Sequence, residues 1–135
     1  MATGTLGTTA RDYPSRGERI AVNLSFSGNF GNGVSQKIGT IPAGSVLVRC
    51  TTVVGTAFNS STTNNISVGT AASGAQLVAA AAIGAIGVNT QALVAAAVGP
   101  LAVDTPIWIT GTFAAAPPTA GAGVFVLEWF NPGAL

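Results

Sequence analysis

The stretch that decides the fold is IAVNLSF, residues 20–26. Large apolar side chains occupy every second position, and small or polar ones lie between them. A period of two gives one apolar and one polar face, which is typical of a half-buried β-strand. The segment GNFGNG, residues 28–33, follows directly and predicts a turn, because asparagine and glycine tolerate positive φ angles. The first apolar segment of the chain therefore indicates a β-protein.

Similar segments recur along the chain. We predict further strands at residues 34–41, 46–54, 66–68, 91–98, 106–113 and 123–130. In the second of these, at 46–54, strict alternation places Val48 and Cys50 on one face and Leu47 and Arg49 on the other. Seven or eight short strands with regularly spaced turns favour an all-β fold, an antiparallel β-sandwich or barrel.

Two segments carry other signals. Four consecutive alanines predict a short helical turn near residues 75–82, since alanine has the highest helix propensity. Both faces of residues 123–130 are largely apolar, so we expect this strand to be buried on both sides or to lie against a neighbouring subunit.

The composition disfavours most catalytic chemistry. Only 7% of the 135 residues are charged, against ~25% in ordinary soluble domains. Histidine is absent and Cys50 is the only cysteine, which excludes a histidine-based triad, an intrachain disulfide and a cysteine-rich metal site. We therefore expect no enzyme, no cofactor and no metal. Cys50 is interpreted as a small core residue.

Nucleic acid and membrane partners are not expected either. The formal net charge is +1 and no run of lysine or arginine offers phosphate contacts. Residues 77–103 form the most apolar window, but polar residues 89–91 divide it into halves of about 12 residues, short of the ~20 that span a bilayer. The N-terminus has no secretory-signal pattern, which predicts synthesis in a cytoplasm.

The charges divide the chain into two parts. Five of the nine lie between positions 11 and 19, and the 116 residues from 20 to 135 carry the other four. We therefore predict an extended N-terminal arm at 1–17 and a β-sandwich domain at 18–135. Arginine guanidinium groups, which form bidentate contacts, and an aromatic ring are suited to docking on another subunit or another protein. The candidate docking residues of this segment are Arg11, Asp12, Tyr13, Arg16, Glu18 and Arg19.

Two charges lie in the middle of predicted strands. Arg49 and Glu128 are surrounded by apolar residues, and a buried charge is costly unless it is paired. We expect both at a subunit interface or at the rim of the sheet. Asp104 and Glu128 are interpreted as structural or interface charges rather than as a glycosidase pair. The polar loop 59–65 is interpreted as a solvated hairpin loop, with glycan binding as the alternative.

Three short motifs resemble a family of small tailed-bacteriophage structural proteins. They are IGTIPAGSVLV at 38–48, VVGTAFN at 53–59 and ISVGTA at 66–71, and the segment TAGAGVFVLEWF at 119–130 is similar to that family's last strand. The resemblance covers about residues 34–131 and implies a β-sandwich of jelly-roll type. It further implies a virion-associated protein, often a trimeric decoration or cement protein, and it assigns no catalytic residue.

The leading hypothesis is a non-enzymatic capsid cement or decoration protein on the exterior of the virion. It would be a homotrimer, bind the major capsid protein and stabilise the head. The alternative is the receptor- or glycan-binding head of a phage tail or head fibre. A shell-forming coat protein ranks third, because the uncharged domain offers little for packaging RNA.

Overall fold

The structure is a computed structural model, and it describes residues 17–26, 32–114 and 116–131. Eight strands are formed: β1 (Gly17–Ser25), β2 (Ser35–Ile41), β3 (Val46–Thr56), β4 (Thr63–Gly69), β5 (Val78–Ala82), β6 (Gly87–Gln91), β7 (Thr105–Ala114) and β8 (Ala122–Phe130). A 3₁₀ helix occupies Ala95–Ala97. The all-β fold class expected from the alternation is confirmed.

The strands form two four-stranded sheets. Sheet I has the order β1-β8-β3-β6, and sheet II has the order β2-β7-β4-β5. All neighbouring strands are antiparallel. The first strand pairs with the eighth, the second with the seventh, the third with the sixth and the fourth with the fifth. This nested pairing is that of a jelly-roll β-sandwich, as the resemblance implied.

The core lies between the two sheets and is built from the inward positions of both. Phe125 and Leu127 of β8 face Ile107 and Ile109 of β7, and all four are fully buried. Burying side chains of this size contributes about 1.5–3 kcal/mol each. Phe58, from the connection between β3 and β4, stacks on Phe113 with ring centroids 5.8 Å apart.

The face assignment within β3 is wrong from its fourth residue, Arg49, onwards. The register between β3 and β8 shifts between Leu47 and Arg49, which marks a β-bulge. Leu47 and Cys50 therefore both point into the core, while Val48 is exposed. Strict alternation fails here because the extra residue moves every later side chain to the opposite face.

Two further predictions are wrong. The expected helical turn near 75–82 is strand β5 for Val78–Ala82, because its backbone pairs with the outer side of β4. The strand expected at 91–98 ends earlier: β6 covers Gly87–Gln91, and a 3₁₀ turn follows. Backbone pairing within a sheet overrides the weak preference of alanine for helix.

The connections meet at the two ends of the sandwich. At one end, Asn59 holds the β7–β8 connection, because its Oδ1 accepts from Thr119 N at 2.8 Å and from Ala120 N at 3.0 Å. A Cβ at Gly121 would overlap the ring of Phe58, so only glycine fits there. At the other end, Gly44 N donates to Leu101 O at 2.7 Å.

Candidate functional site

The candidate site is the outer face of sheet I, because it gathers three of the four docking residues that the structure describes. The fourth, Glu18, is the register partner of the inward-facing Trp129. Arg11, Asp12, Tyr13 and Arg16 lie outside the described residues, as does most of the arm. Glu18 and Arg19 are exposed on β1, Arg49 is exposed on β3, and Glu128 is half-buried on β8. Their assignment to an interface stays a prediction.

Three of these charges form one row across the sheet. Glu128 of β8 is the register partner of Arg19 on β1 and of Arg49 on β3. The Nε of Arg49 donates to Oε1 of Glu128 at 2.8 Å, with side chains 58% and 32% exposed. The sequence flagged both residues as unusual mid-strand charges. The structure shows that each is the other's partner, on the two central strands of the sheet.

This ion pair is accessible to a partner. An exposed pair of this kind contributes about 0–1 kcal/mol to folding. The row holds two arginines and one glutamate, so one of its positive charges is not neutralised within the row. Arg19 forms no ion pair within the described part of the chain. An incoming carboxylate could therefore bind at this row without competing with the Arg49–Glu128 bond.

Apolar and small polar side chains cover the rest of the face. A shallow depression of about 400 Å³ begins at the charged row and extends over β3 and β6. It is lined by Arg19, Arg49, Thr51, Val88, Thr90, Val126 and Glu128. In the register of the sheet, the next two rows across the strands are Ala21, Val126, Thr51 and Thr90, then Asn23, Val124, Val53 and Val88.

The valines are the part of the site that sequence reasoning missed. Val88 is 69% exposed and Val53 is also exposed, although β-branched apolar residues favour half-buried positions. For Val88, the sequence signal is the segment GVNTQ of β6, in which a valine lies among polar residues of an edge strand. Exposed apolar side chains that adjoin one another mark interaction sites more often than isolated ones do.

The face suits binding rather than acid–base chemistry. Within the described residues, no group of three or more His, Cys, Asp or Glu side chains could hold a metal ion. Cys50 lies beneath the face and points into the core, as expected. Burial raises the pKa of its thiol to about 12, so the thiolate that a nucleophile requires is not formed near neutral pH.

The Asp104 carboxylate has a structural role. Oδ1 of Asp104 accepts a hydrogen bond from Ala43 N at 2.9 Å and so ties the β6–β7 connection to the turn between β2 and β3. Glu128 is engaged by Arg49 on sheet I. Each carboxylate therefore has its own partner, in line with the interpretation of both as structural or interface charges.

The polar loop 59–65 uses its amides to hold its own shape. The Asn64 side chain accepts from Ser60 N at 2.7 Å and donates to Ser60 O at 3.0 Å. Asn59 is bound to the β7–β8 connection. β4 begins at Thr63, earlier than the strand predicted at 66–68. The side-chain amides of Asn59 and Asn64, two of the three that this loop offers to a glycan, are thus engaged in internal hydrogen bonds.

No helix in the described part of the chain has the length and apolarity that a membrane span requires.

Comparison with known proteins gives matches in structure and not in sequence. No protein-family model matches the chain, and no curated protein matches it. A chain of the acid-stable capsid of Helicobacter pylori bacteriophage KHP30 has a TM-score of 0.60 at 15% identity, over 90% of this chain and 92% of that one.

Two further capsid structures contain a similar chain. One from cyanophage Pam1 has a TM-score of 0.57 at 16% identity, over 98% of this chain and 100% of that one. One from Ralstonia phage GP4 has a TM-score of 0.61 at 20% identity, over 87% and 84%. This chain shares its fold with chains of three bacteriophage capsids. At these identities the likeness establishes the jelly-roll sandwich and leaves the role of the chain to be argued.

Proposed function

We propose that this chain is a non-enzymatic structural protein of a bacteriophage virion. It binds the outer surface of the capsid as a cement or decoration protein and stabilises the head, with the major capsid protein as its partner. The observation that carries the proposal is the shared fold: three phage capsid structures each hold a chain of similar length and topology.

The outer face of sheet I supports a binding role. Its two valine- and threonine-containing rows can be desolvated at a lower cost than the charged row, because they hold polar groups but no charge. The charged row beside them can fix the register of a partner, since charge pairs contribute more to specificity than to affinity. Apolar contact with a charged margin is the usual composition of a protein–protein interface.

The N-terminal arm would dock at the same margin. β1 is an edge strand of sheet I and starts at Gly17, the register partner of Phe130. The arm therefore joins the sandwich two residues before Arg19, at the end of the charged row. We propose that Arg11, Asp12, Tyr13 and Arg16 contact the same capsid partner as Arg19, Arg49 and Glu128.

A homotrimer would strengthen such binding. Three linked copies convert the second and third docking events into intramolecular ones, so weak single contacts add up to high avidity. This suits a chain with a formal net charge of only +1, which offers little electrostatic attraction of its own.

Two matched variants test the docking face. Val88→Glu places a carboxylate on the outer face of sheet I, where the wild-type side chain is 69% exposed. Val103→Glu makes the same change at a residue that is 66% exposed, in the connection that precedes β7. Both variants should fold, because neither side chain is buried. The assay is the occupancy of added protein on heads assembled without it, measured by cryo-electron microscopy.

We expect Val88→Glu to lower the occupancy at least about tenfold, while Val103→Glu binds as the wild type does. Equal occupancy of both variants would remove the sheet I face from the mechanism. Failure of the wild-type protein to bind the heads would contradict the cement role itself. Assembly of the purified chain into closed shells would favour a coat protein instead.

A further inference from the structure

Asn32 is the only asparagine in the chain that is followed by glycine. It lies just before β2, at the end of the sandwich that also carries Phe58. Glycine after asparagine leaves the following backbone nitrogen free of steric shielding, and this nitrogen can attack the side-chain amide. Gly33 has a φ of +76°, a conformation that glycine adopts without strain.

Two hydrogen bonds engage the reactive groups. Gly33 N, the nucleophile in such a reaction, donates to Gly111 O at 2.8 Å. The electrophilic side chain is held separately, since Phe113 N donates to Asn32 Oδ1 at 3.1 Å. A third bond, from Gly111 N to Val34 O at 3.2 Å, fixes the same segment against β7. Both reacting groups are thus bound to β7 rather than to each other.

We propose that Asn32 is a deamidation site that strand β7 keeps unreactive in the folded chain. In the reaction, Gly33 N loses its proton and forms a bond to Cγ of Asn32. The Cγ–Nδ2 bond breaks, Nδ2 takes up the proton, and ammonia leaves a cyclic succinimide. Water then opens one of the two ring carbonyls to give aspartate or isoaspartate. Water is the only co-reactant, and no atom is oxidised or reduced.

The fold opposes the first step in two ways. The proton that must leave Gly33 N is engaged with Gly111 O, so its removal also costs that hydrogen bond. Attack also makes Cγ tetrahedral and moves Oδ1, which disturbs the hydrogen bond that Oδ1 accepts from Phe113 N on β7. Reaction therefore proceeds through local opening of this end of the sandwich or through global unfolding, and its rate reports on that opening.

The two products have different consequences. Aspartate keeps a side-chain oxygen that can accept the Phe113 N–H, so this product preserves the turn. Isoaspartate lengthens the backbone by one methylene between β1 and β2 and displaces that acceptor. Either product adds one negative charge to a chain whose formal net charge is +1. In a chain with nine charged residues, this is a sizeable change.

The test compares the folded protein with the same protein in denaturant, at one mildly alkaline pH and one temperature. Peptide mapping by mass spectrometry follows Asn32, and an isoaspartate-specific assay separates the products. We expect Asn32 to react at least about tenfold more slowly in the folded chain, because two hydrogen bonds must break first. Equal rates in the two states, or no reaction at Asn32 in denaturant, would overturn the proposal.

Two variants serve as controls for the nucleophile and for the product. Gly33→Ala retains the asparagine and shields its neighbouring nitrogen, and an added Cβ meets nothing within 4 Å, although φ is unfavourable for alanine. In denaturant it should react more slowly than the wild type. Asn32→Asp mimics the unlengthened product and should fold, with a circular dichroism spectrum like that of the parent. If Gly33→Ala reacts at the wild-type rate in denaturant, Gly33 N is not the nucleophile and the proposal is wrong.

Discussion

The outer faces of the two sheets have the same backbone geometry and different chemistry. Sheet I presents valines and threonines beside one charged row. Sheet II presents hydroxyl side chains together with Lys37 and Trp108, and the hydroxyls of Ser35 and Thr110 bond to each other. Ser35 Oγ lies 2.8 Å from Thr110 Oγ1 and also accepts from Ser73 N at 2.9 Å, so the β4–β5 connection covers part of this face.

This difference indicates which face can accept a partner. Thr110 is only 6% exposed although it points outward, because the chain itself fills the space around it. On sheet I, Val88 and Val53 remain exposed with no segment of the described chain over them. On sheet II, Ser35 and Thr110 bond to each other within the molecule, whereas sheet I leaves apolar surface that only another molecule can bury.

The largest change in stability should come from the inward side of β8, and the outward side should give a much smaller one. Leu127→Ala removes a fully buried side chain and should lower the free energy of unfolding by about 2–5 kcal/mol. Val126→Ala truncates a half-buried outward neighbour and should cost less than about 1 kcal/mol. Urea denaturation measures both. A loss at Val126 as large as that at Leu127 would mean that the outer valines serve the fold.

The next effect concerns Cys50, which lies under the sheet I face. The pKa of its thiol is about 12 in the folded chain against a usual 9.0, because burial disfavours the thiolate. Between these values the unfolded chain has lost a proton that the folded chain still holds, so stability falls as pH rises above 9.0. The loss from this group should be about 1 kcal/mol by pH 10.

Denaturation at pH 8 and pH 10, with Cys50→Ala as the control, measures this contribution. The variant is less stable at both pH values because it leaves a cavity, but its stability should fall less between them. Parallel decreases in the two proteins would show that Cys50 ionises as readily in the folded chain as in the unfolded one. The thiol would then be accessible from the outer face, and the distinction between the core and that face would fail.

A smaller effect should distinguish the two outer faces directly. Thr110→Val on sheet II removes the hydrogen bond to Ser35 and should cost about 0.5–1.5 kcal/mol. Thr51→Val on sheet I changes a half-buried side chain that lines an open depression, and it should be within about 0.5 kcal/mol of the parent. Thermal denaturation of the pair checks this. Similar losses of stability in the two variants would mean that outward hydroxyls stabilise the fold equally on both sheets.

The sequence predicts the sheets better than it predicts which side chains each face carries. Period-two alternation identifies a strand such as β1, because a half-buried strand must alternate. It misassigns the faces after Val48, because the bulge there depends on the register with β8, which no local pattern records. β5 is missed because alanine fits a helix and a strand alike, and only β4 decides between them.

The candidate site divides in the same way. Arg49 and Glu128 stand out in the sequence as charges within apolar strands, so both are found by pattern. Their pairing is not found, since they are 79 residues apart and meet only through the β3–β8 register. Val88 is missed entirely, because its exposure follows from its place on the edge strand β6. Sequence reasoning thus recovers charged members of a face and loses the apolar ones.

The smallest effect should come from the Arg49–Glu128 pair. A double-mutant cycle with Arg49→Ala and Glu128→Ala should give a coupling energy below about 1 kcal/mol, because both side chains are partly in water. The coupling should fall further at high salt, since screening weakens exposed pairs. A coupling above about 2 kcal/mol that persists in salt would make the pair a fixed part of sheet I. A weak coupling leaves Glu128 free to exchange Arg49 for a partner's cation, which a docking face requires.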